Sequence, residues 1–340
     1  MIDGHSSRSH GIDLSVPVNY IKVDGFEIKN HTAAAVYNMD GWYASSYQTV
    51  GNEFVGNSIH DNAGDGVSTS NSDSTLVESN DIYDNGSTAV AFGGQFMSRN
   101  LIVRGNEIHH NDKDGIQGSG LNLLFEGNHL YNEFETSQHQ DAFDLGQINN
   151  MTIRNNTVSD FTQLVYGTDG TGWQDIKIYG NVFYNNLYWS VKGGASPAIF
   201  ADARFSSSMN VRNLEIHSNT FGYLGDGQKA IMVYGAVGSV LDNIKIYNNI
   251  FYDNRGSSGS IAMDWSSSAT NVSSNYNLFY KVTPKITEPN SLLATDPLFV
   301  GYQRHTAFNF HLLPTSPAIN SGDPNLASVV TLPSSFTDID

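Results

Sequence analysis

The sequence predicts an all-β chain wound into a right-handed parallel β-helix, one solenoid of about nine or ten coils. Three observations predict it. A motif of the form apolar-x-apolar-x-x-Asn-x-apolar recurs down the chain, at Asn57, Asn80, Asn106, Asn128, Asn156, Asn181, Asn219, Asn249 and Asn277. Those asparagines stand 23, 26, 22, 28, 25, 38, 30 and 28 residues apart. The apolar residues flanking them alternate with period two, as strands do.

The copies read Leu76-Val77-Glu78-Ser79-Asn80-Asp81-Ile82, then Ile102-Val103-Arg104-Gly105-Asn106-Glu107-Ile108, and onward to Asn277-Leu278-Phe279. Ile21 to Ile28 fits the same template with Phe26 at the Asn position. The spacings are too short for a strand plus a covering helix. One unit cannot bury its apolar side alone, so neighbours must stack. Each strand then bonds to its equivalent one coil away, at about 4.8 Å. Asn suits the recurring position because it tolerates a left-handed turn and because stacked amides can bond from coil to coil. These asparagines are read as architecture. A leucine-rich repeat lacks the Leu spacing it needs, and a β-propeller would place Gly-Asn pairs between strands, not inside runs.

The tail leaves the repeat. Asp296-Pro297-Leu298-Phe299, Phe310-His311-Leu312-Leu313 and Ser316 to Gly322 are Pro-punctuated and predict a C-terminal cap over about 281–340. Uncapped solenoid ends expose strand edges. The reading is therefore a single domain over 1–340, with coils over about 20–280, and the abrupt ends suggest trimming at one or both termini.

Composition narrows the partners. Thirty-four acidic residues against 17 basic ones give a formal charge of −17, which argues against nucleic acid or an anionic membrane as a partner. An anionic polysaccharide remains compatible if a cation bridges the two. There is no Cys, hence no disulfide and no thiol chemistry. No run of 18 apolar residues could span a membrane. No leader is visible at Met1-Ile2-Asp3-Gly4, yet an acidic, Tyr-rich, Cys-free β protein suits bacterial secretion, as a monomer.

A second strand follows most of the asparagines by nine or ten residues. Its inward positions are expected to be Val67, Val90, Ile116, Phe143, Val165 and Val191. The outward residues just after them are Ser68, Ala91, Gln117, Asp144, Tyr166 and Lys192. Those just before, Gly66, Ala89, Gly115, Ala142, Leu164 and Ser190, are mostly small and are also expected to face outward, giving a shallow groove. Two residues before the inward column stand Asp65, Asp114 and Asp141; Asp65-Gly66 is read as an ordinary turn. The coil between Asn128 and Phe143 carries an insertion, Glu133 to Gln138, and insertions in solenoids map to loops on a binding face. One region thereby gathers Asp114, Asp141, Asp144, His139, Tyr166, Asp169 and Lys192, with Lys192 two coils, about 10 Å, beyond Asp144. Residues three apart on a flat strand face opposite ways, so Asp141 needs a bend before it to share a face with Asp144. Carboxylates this dense repel unless a cation sits among them, and oxygen donors suit Ca²⁺.

Asp114-Gly115-Ile116, Gln140-Asp141-Ala142-Phe143-Asp144-Leu145 and Val191-Lys192-Gly193-Gly194 resemble the active-site segments of the family 9 polysaccharide lyases, pectate-lyase-like β-helix enzymes. The resemblance implies Asp114, Asp141 and Asp144 as Ca²⁺ ligands and Lys192 as the Brønsted base. Gln140 stands where the family has the first Asp of a pair, which puts it in the ligand set by position; Ala142 replaces Gly. An additional coil lies between Asp144 and Lys192. The catalytic segments cover about 20 residues, whereas the β-helix resemblance covers nearly the whole chain.

The chemistry would be Ca²⁺-assisted β-elimination across C4–C5 of a uronic acid in a pectate-like polymer. The cation stabilises the enolate-like charge, and it favours a neutral Lys that can act as base. Arg204 could hold a second substrate carboxylate. Gln117, His139 and Asp169 would border the substrate, and Tyr166, Trp173, Tyr188 and Trp189 could stack on sugar rings. The alternatives are a glycoside hydrolase using Asp141 with Asp144 or Asp169 as acid and base, a uronan C5-epimerase sharing the proton abstraction, or a non-catalytic carbohydrate-binding solenoid.

Overall fold

The computed structural model describes residues 1–15, 18–38, 49–94, 97–132, 140–167, 172–184, 197–203, 210–222, 224, 229–252, 261–303 and 307–330. Short parallel strands dominate, and the only helix among these residues is the single 3₁₀ turn Leu326–Ser328. Strands at the same phase of the repeat pair in sequence order, which is a parallel β-helix. The smaller sheet has twelve strands, running from Ile2–Asp3 through Asp81–Tyr83 to Leu292–Leu293. Twenty-one further strands form one large sheet that wraps the other sides. The coils thus extend beyond the Asn-marked copies, with early rungs at Ile2–Asp3 and Ile12–Asp13.

Register converts the sequence motif into vertical columns. Ile28, Ile59, Ile82, Ile108, Leu130, Val158, Phe183, Phe221, Phe251 and Phe279 stand one above the next, all fully buried. The last four stack with ring centroids 5.1–5.4 Å apart. Trp173 also belongs to this core: it is 1% exposed and its indole N–H points at Leu145 O, 3.4 Å away. Its expected role against a sugar ring is thereby excluded, because no face of it reaches solvent.

The asparagine column behaves as a ladder from Asn57 to Asn277. Each side-chain Oδ1 accepts both the backbone N–H (2.8–3.0 Å) and the amide Nδ2 (2.9–3.1 Å) of the Asn one coil earlier. Each Nδ2 also donates to a strand carbonyl in the preceding coil, as Asn128 does to Val103 O at 2.9 Å. The left-handed conformation expected at these asparagines falls instead on the residue before them. Gly56, Ser79, Gly105, Gly127, Asn155, Gly180, Ser218, Asn248 and Tyr276 have φ of +54° to +65°. The chain turns there, and the Asn closes the hydrogen bonds that the turn leaves open. A second ladder lies five residues further on, where His31 leads into Asn62, Asn85 and Asn111.

The C-terminal end has two parts. Glu288, 4% exposed, replaces the missing next Asn: its Oε2 accepts Asn277 Nδ2 at 3.0 Å and its Oε1 accepts the Ser274 hydroxyl at 2.6 Å. Residues beyond the last rung then double back along the flank. The antiparallel pair Phe299–Gln303 and Ala307–Leu312 sets Phe299 against Tyr252 and Phe310 against Tyr184. Asp323 N–H reaches Asn248 Oδ1 at 2.9 Å. Outward rings on the late rungs of the small sheet are what this strap covers.

Two outcomes test the fold. Asn128→Ala orphans buried groups on both neighbouring coils and should cost about 2–4 kcal/mol, read by urea denaturation. His217, stacked on Tyr179 with centroids 4.9 Å apart, has its pKa pushed by burial from 6.5 down to about 4. The folded state then binds fewer protons than the unfolded chain as pH falls below 6.5. Stability should drop by on the order of 3 kcal/mol between about pH 6.5 and 4 through this group. His217→Phe, which keeps the stack, should flatten that part of the pH–stability curve.

Candidate active site

The candidate acidic residues sit where the second strand of each coil begins. Val67, Val90, Ile116, Phe143 and Val165 pair rung to rung and are fully buried, as expected. Beside them Ser68, Ala91, Gln117, Asp144 and Tyr166 form the outer column. The column then departs from expectation. The rung after Val165 and Tyr166 is Ile199 and Phe200, followed by Ile231 and Met232, then Met263 and Asp264. Val191 and Lys192 therefore do not occupy that rung. Twelve residues, 185–196, lie between the preceding strand and this one outside the described residues, so counting from the Asn placed the strand too early. Lys192, Arg204, His139, Asp169, Tyr188, Trp189 and the insertion Glu133 to Gln138 all lie outside the described residues.

The small column is not the floor of a groove. Ala89, Ala142, Leu164, Ala198, Ala230 and Ala262 are fully buried within the core. The chain bends here against the small sheet. A Cβ on Gly66 would lie 2.6 Å from Ile82 Cγ2, and one on Gly115 would lie 2.9 Å from Leu130 Cδ2. Glycine is required at those two rungs by that close approach.

The same bend brings positions three apart onto one face. The Ser68 hydroxyl donates to Asp65 Oδ2, and Thr88 Oγ1 donates to Gln117 Oε1 across a coil at 3.3 Å. Two lines of side chains thus face each other along the corner. One is Asp65, Thr88, Asp114, Asp141 and Gln163; the other is Ser68, Ala91, Gln117, Asp144 and Tyr166. Both members of the Asp141–Asp144 pair lie on this face, as the bend required.

Partners differ among the acids. Asp65 Oδ1 accepts Thr88 N–H at 3.2 Å, and Asp114 Oδ1 accepts Asp141 N–H at 2.8 Å. Those two bonds repeat one structural device. Asp144 Oδ2 instead accepts Gln117 Nε2 at 2.7 Å and stays half-buried. Gln140, 3% exposed, donates its amide to Asn111 O and Asp112 O at 3.2 and 3.1 Å, tying two coils together. Sequence reasoning missed Gln163. It follows Asp141 in its line, is 5% exposed, and holds a buried Oε1 with no hydrogen-bond partner, an unusual state for a buried amide. Its place in the line was the available signal.

The donors are all oxygen, which suits Ca²⁺ chemically. Among the described residues no three His, Cys, Asp or Glu side chains converge closely enough to hold a metal ion by themselves. Oxygens of Asp114 and Asp144 are spent on bonds between coils.

Residues 5–139 match the family model described as the right handed beta helix region. The solenoid is a right-handed parallel β-helix. No curated protein sequence matches the chain. Among solved structures, the A-module of the Azotobacter vinelandii mannuronan C-5 epimerase AlgE4 is similar, at 12% identity and a TM-score of 0.45, covering 81% of this chain and 64% of that one. The Agl-KA catalytic domain is similar at 16% identity and a TM-score of 0.35, covering 84% of this chain and 47% of that one. At those TM-scores neither likeness bears on activity.

The two acids should separate by role. Asp114→Ala leaves Asp141 N–H without its acceptor and should cost about 1–3 kcal/mol. Asp144→Asn keeps an acceptor for Gln117 and should leave stability within about 0.5 kcal/mol. Thermal or urea unfolding of the pair checks this.

Proposed function

We propose that the protein is a carbohydrate-active enzyme that cleaves a uronic-acid-containing polysaccharide, pectate-like in character, by β-elimination. The observation that carries the proposal is the corner itself. Half-buried Gln117 and Asp144 stand on adjoining rungs of one face, backed by the buried Asp114 and Asp141 and followed on the next rung by half-buried Tyr166. A polar centre beside a reachable ring is what recognition of a sugar polymer calls for: amides and carboxylates bond hydroxyls, and a ring covers the apolar face of a pyranose.

The reaction removes the C5 proton of a uronate and expels the C4 oxygen substituent, leaving a C4–C5 double bond. By the lyase resemblance Lys192 is the proposed base. Asp144, half-buried and held by Gln117, is positioned to orient a substrate hydroxyl. An acidic face and an anionic polymer repel, and a hard cation such as Ca²⁺ between them would lower that repulsion. Calcium and a secreted setting belong to the same proposal.

The test is digestion of pectate, alginate and glycosaminoglycans with and without Ca²⁺, following ultraviolet absorbance and reducing ends in parallel. β-Elimination yields a conjugated, absorbing product for every new reducing end. Asp144→Asn and Lys192→Ala should each lower turnover by about 10²-fold or more while the fold is retained. Reducing ends without absorbance would make the enzyme a hydrolase. A change in uronate epimer ratio without chain cleavage would make it a C5-epimerase.

A further inference from the structure

The same two lines of side chains continue past the acidic centre, and their character reverses. Ala198 N–H bonds to Lys229 O just as Gly115 N–H bonds to Asp141 O, so Lys229 lies in the line of Asp114, Asp141 and Gln163. Asp264 lies in the line of Asp144, Tyr166, Phe200 and Met232. Lys229 Nζ is 3.2 Å from Asp264 Oδ2, and Lys285 Nζ is 2.5 Å from Asp264 Oδ1. The Tyr234 hydroxyl donates to Asp264 Oδ2 at 2.6 Å. Lys285 is held further by Trp265 O at 2.5 Å and lies 4.9 Å from the Trp265 ring centroid.

Among the described residues one carboxylate, Asp264, faces two ammonium groups, so the cluster of these three side chains carries a net positive charge in a chain of formal charge −17. Its cations are pre-positioned yet reachable, with side chains 30% and 28% exposed. Between this cluster and Asp144 run Tyr166, Phe200 and Met232, and the first two rings pack 5.7 Å apart. Four rungs of about 4.8 Å separate Asp264 from Asp144, about 19 Å in all. That is the span of several sugar units.

We propose that Lys229 and Lys285, arranged around Asp264 and Tyr234, form a distal subsite for a uronate carboxylate of a chain that also reaches Asp144. The inference rests on the uronan-cleaving reading given above, and it makes the polymer lie along the solenoid axis. The incoming carboxylate takes the charge that Asp264 leaves unbalanced, while half-buried Tyr166 and Met232 carry the intervening sugars over the buried Phe200. Asp264 also holds the lysines in place. Its pKa is drawn down to about 2 by Lys285, Tyr234 and Lys229 against the opposing effect of burial, so it stays ionised at any working pH.

The experiment uses the full chain, with a uronate dimer and a uronate hexamer as probes in calorimetry at low salt and in the turnover assay. Lys229→Gln and Lys285→Gln should each weaken hexamer binding about tenfold and raise its KM without changing kcat, and should leave the dimer unaffected. Asp264→Asn removes the internal competitor and should tighten hexamer binding, a gain that no purely structural role predicts. Added salt should erase these differences. Melting curves of all three variants report whether they fold. Variants that lose thermal stability yet bind the hexamer as the parent does, or an Asp264→Asn variant that binds no tighter, would overturn the subsite. Lysine-dependent hexamer binding without turnover would overturn the uronan-cleaving reading and leave the subsite standing.

Discussion

Everything in this molecule depends on closing hydrogen bonds at the turns of a parallel coil. Parallel strands bond only to the coils above and below, so a chain that turns between strands exposes backbone N–H groups inside the protein. The repeat solves this with two residues. One, usually Gly, Ser or Asn, adopts the left-handed conformation and turns the chain. The next, Asn, accepts two bonds from the coil below and donates to that coil and the one above. The ladder therefore locks register, and register aligns the columns of Ile, Val and Phe that form the core. A slip of one residue would turn every one of those side chains outward. Glu288 shows the same constraint at the boundary: where no further Asn exists, a buried carboxylate takes over its acceptor role.

Locked register is also what creates the candidate site. A residue type placed once per coil becomes a line in space, and the bend at the small residues turns two such lines toward one another. Asp65 and Asp114 spend their oxygens on that corner, making equivalent bonds to the next coil. Asp144 and its partner Gln117 are the half-buried members of the face, which is why the proposed substrate contacts are placed there. Along the same lines the charge passes from acidic to apolar to basic, so the face is polarised along the solenoid axis. An anionic polymer lying on it would find its counter-charges at one end and its reacting groups at the other.

The repeat was legible because it is local. Period-two alternation, Asn spacing and the absence of helix-length gaps each follow from stacking short strands, and together they determined the solenoid, the ladder and the inner column as far as Val165. The pairing of Asp141 with Asp144 on one face was foreseeable only as a requirement for a bend. Tertiary structure decided the rest. Alternation alone made the small residues look exposed, whereas the close approach of two sheets buries them. Counting along the chain put Val191 and Lys192 on a rung that Ile199 and Phe200 occupy, because the number of residues between an Asn and the next strand can change without altering the height of that strand. The Lys229–Asp264–Lys285 cluster escaped notice for the same reason: its members lie 35 and 21 residues apart along the chain, and only rung-by-rung register makes them neighbours. Local pattern determines which fold forms; the register of distant coils decides which side chains meet.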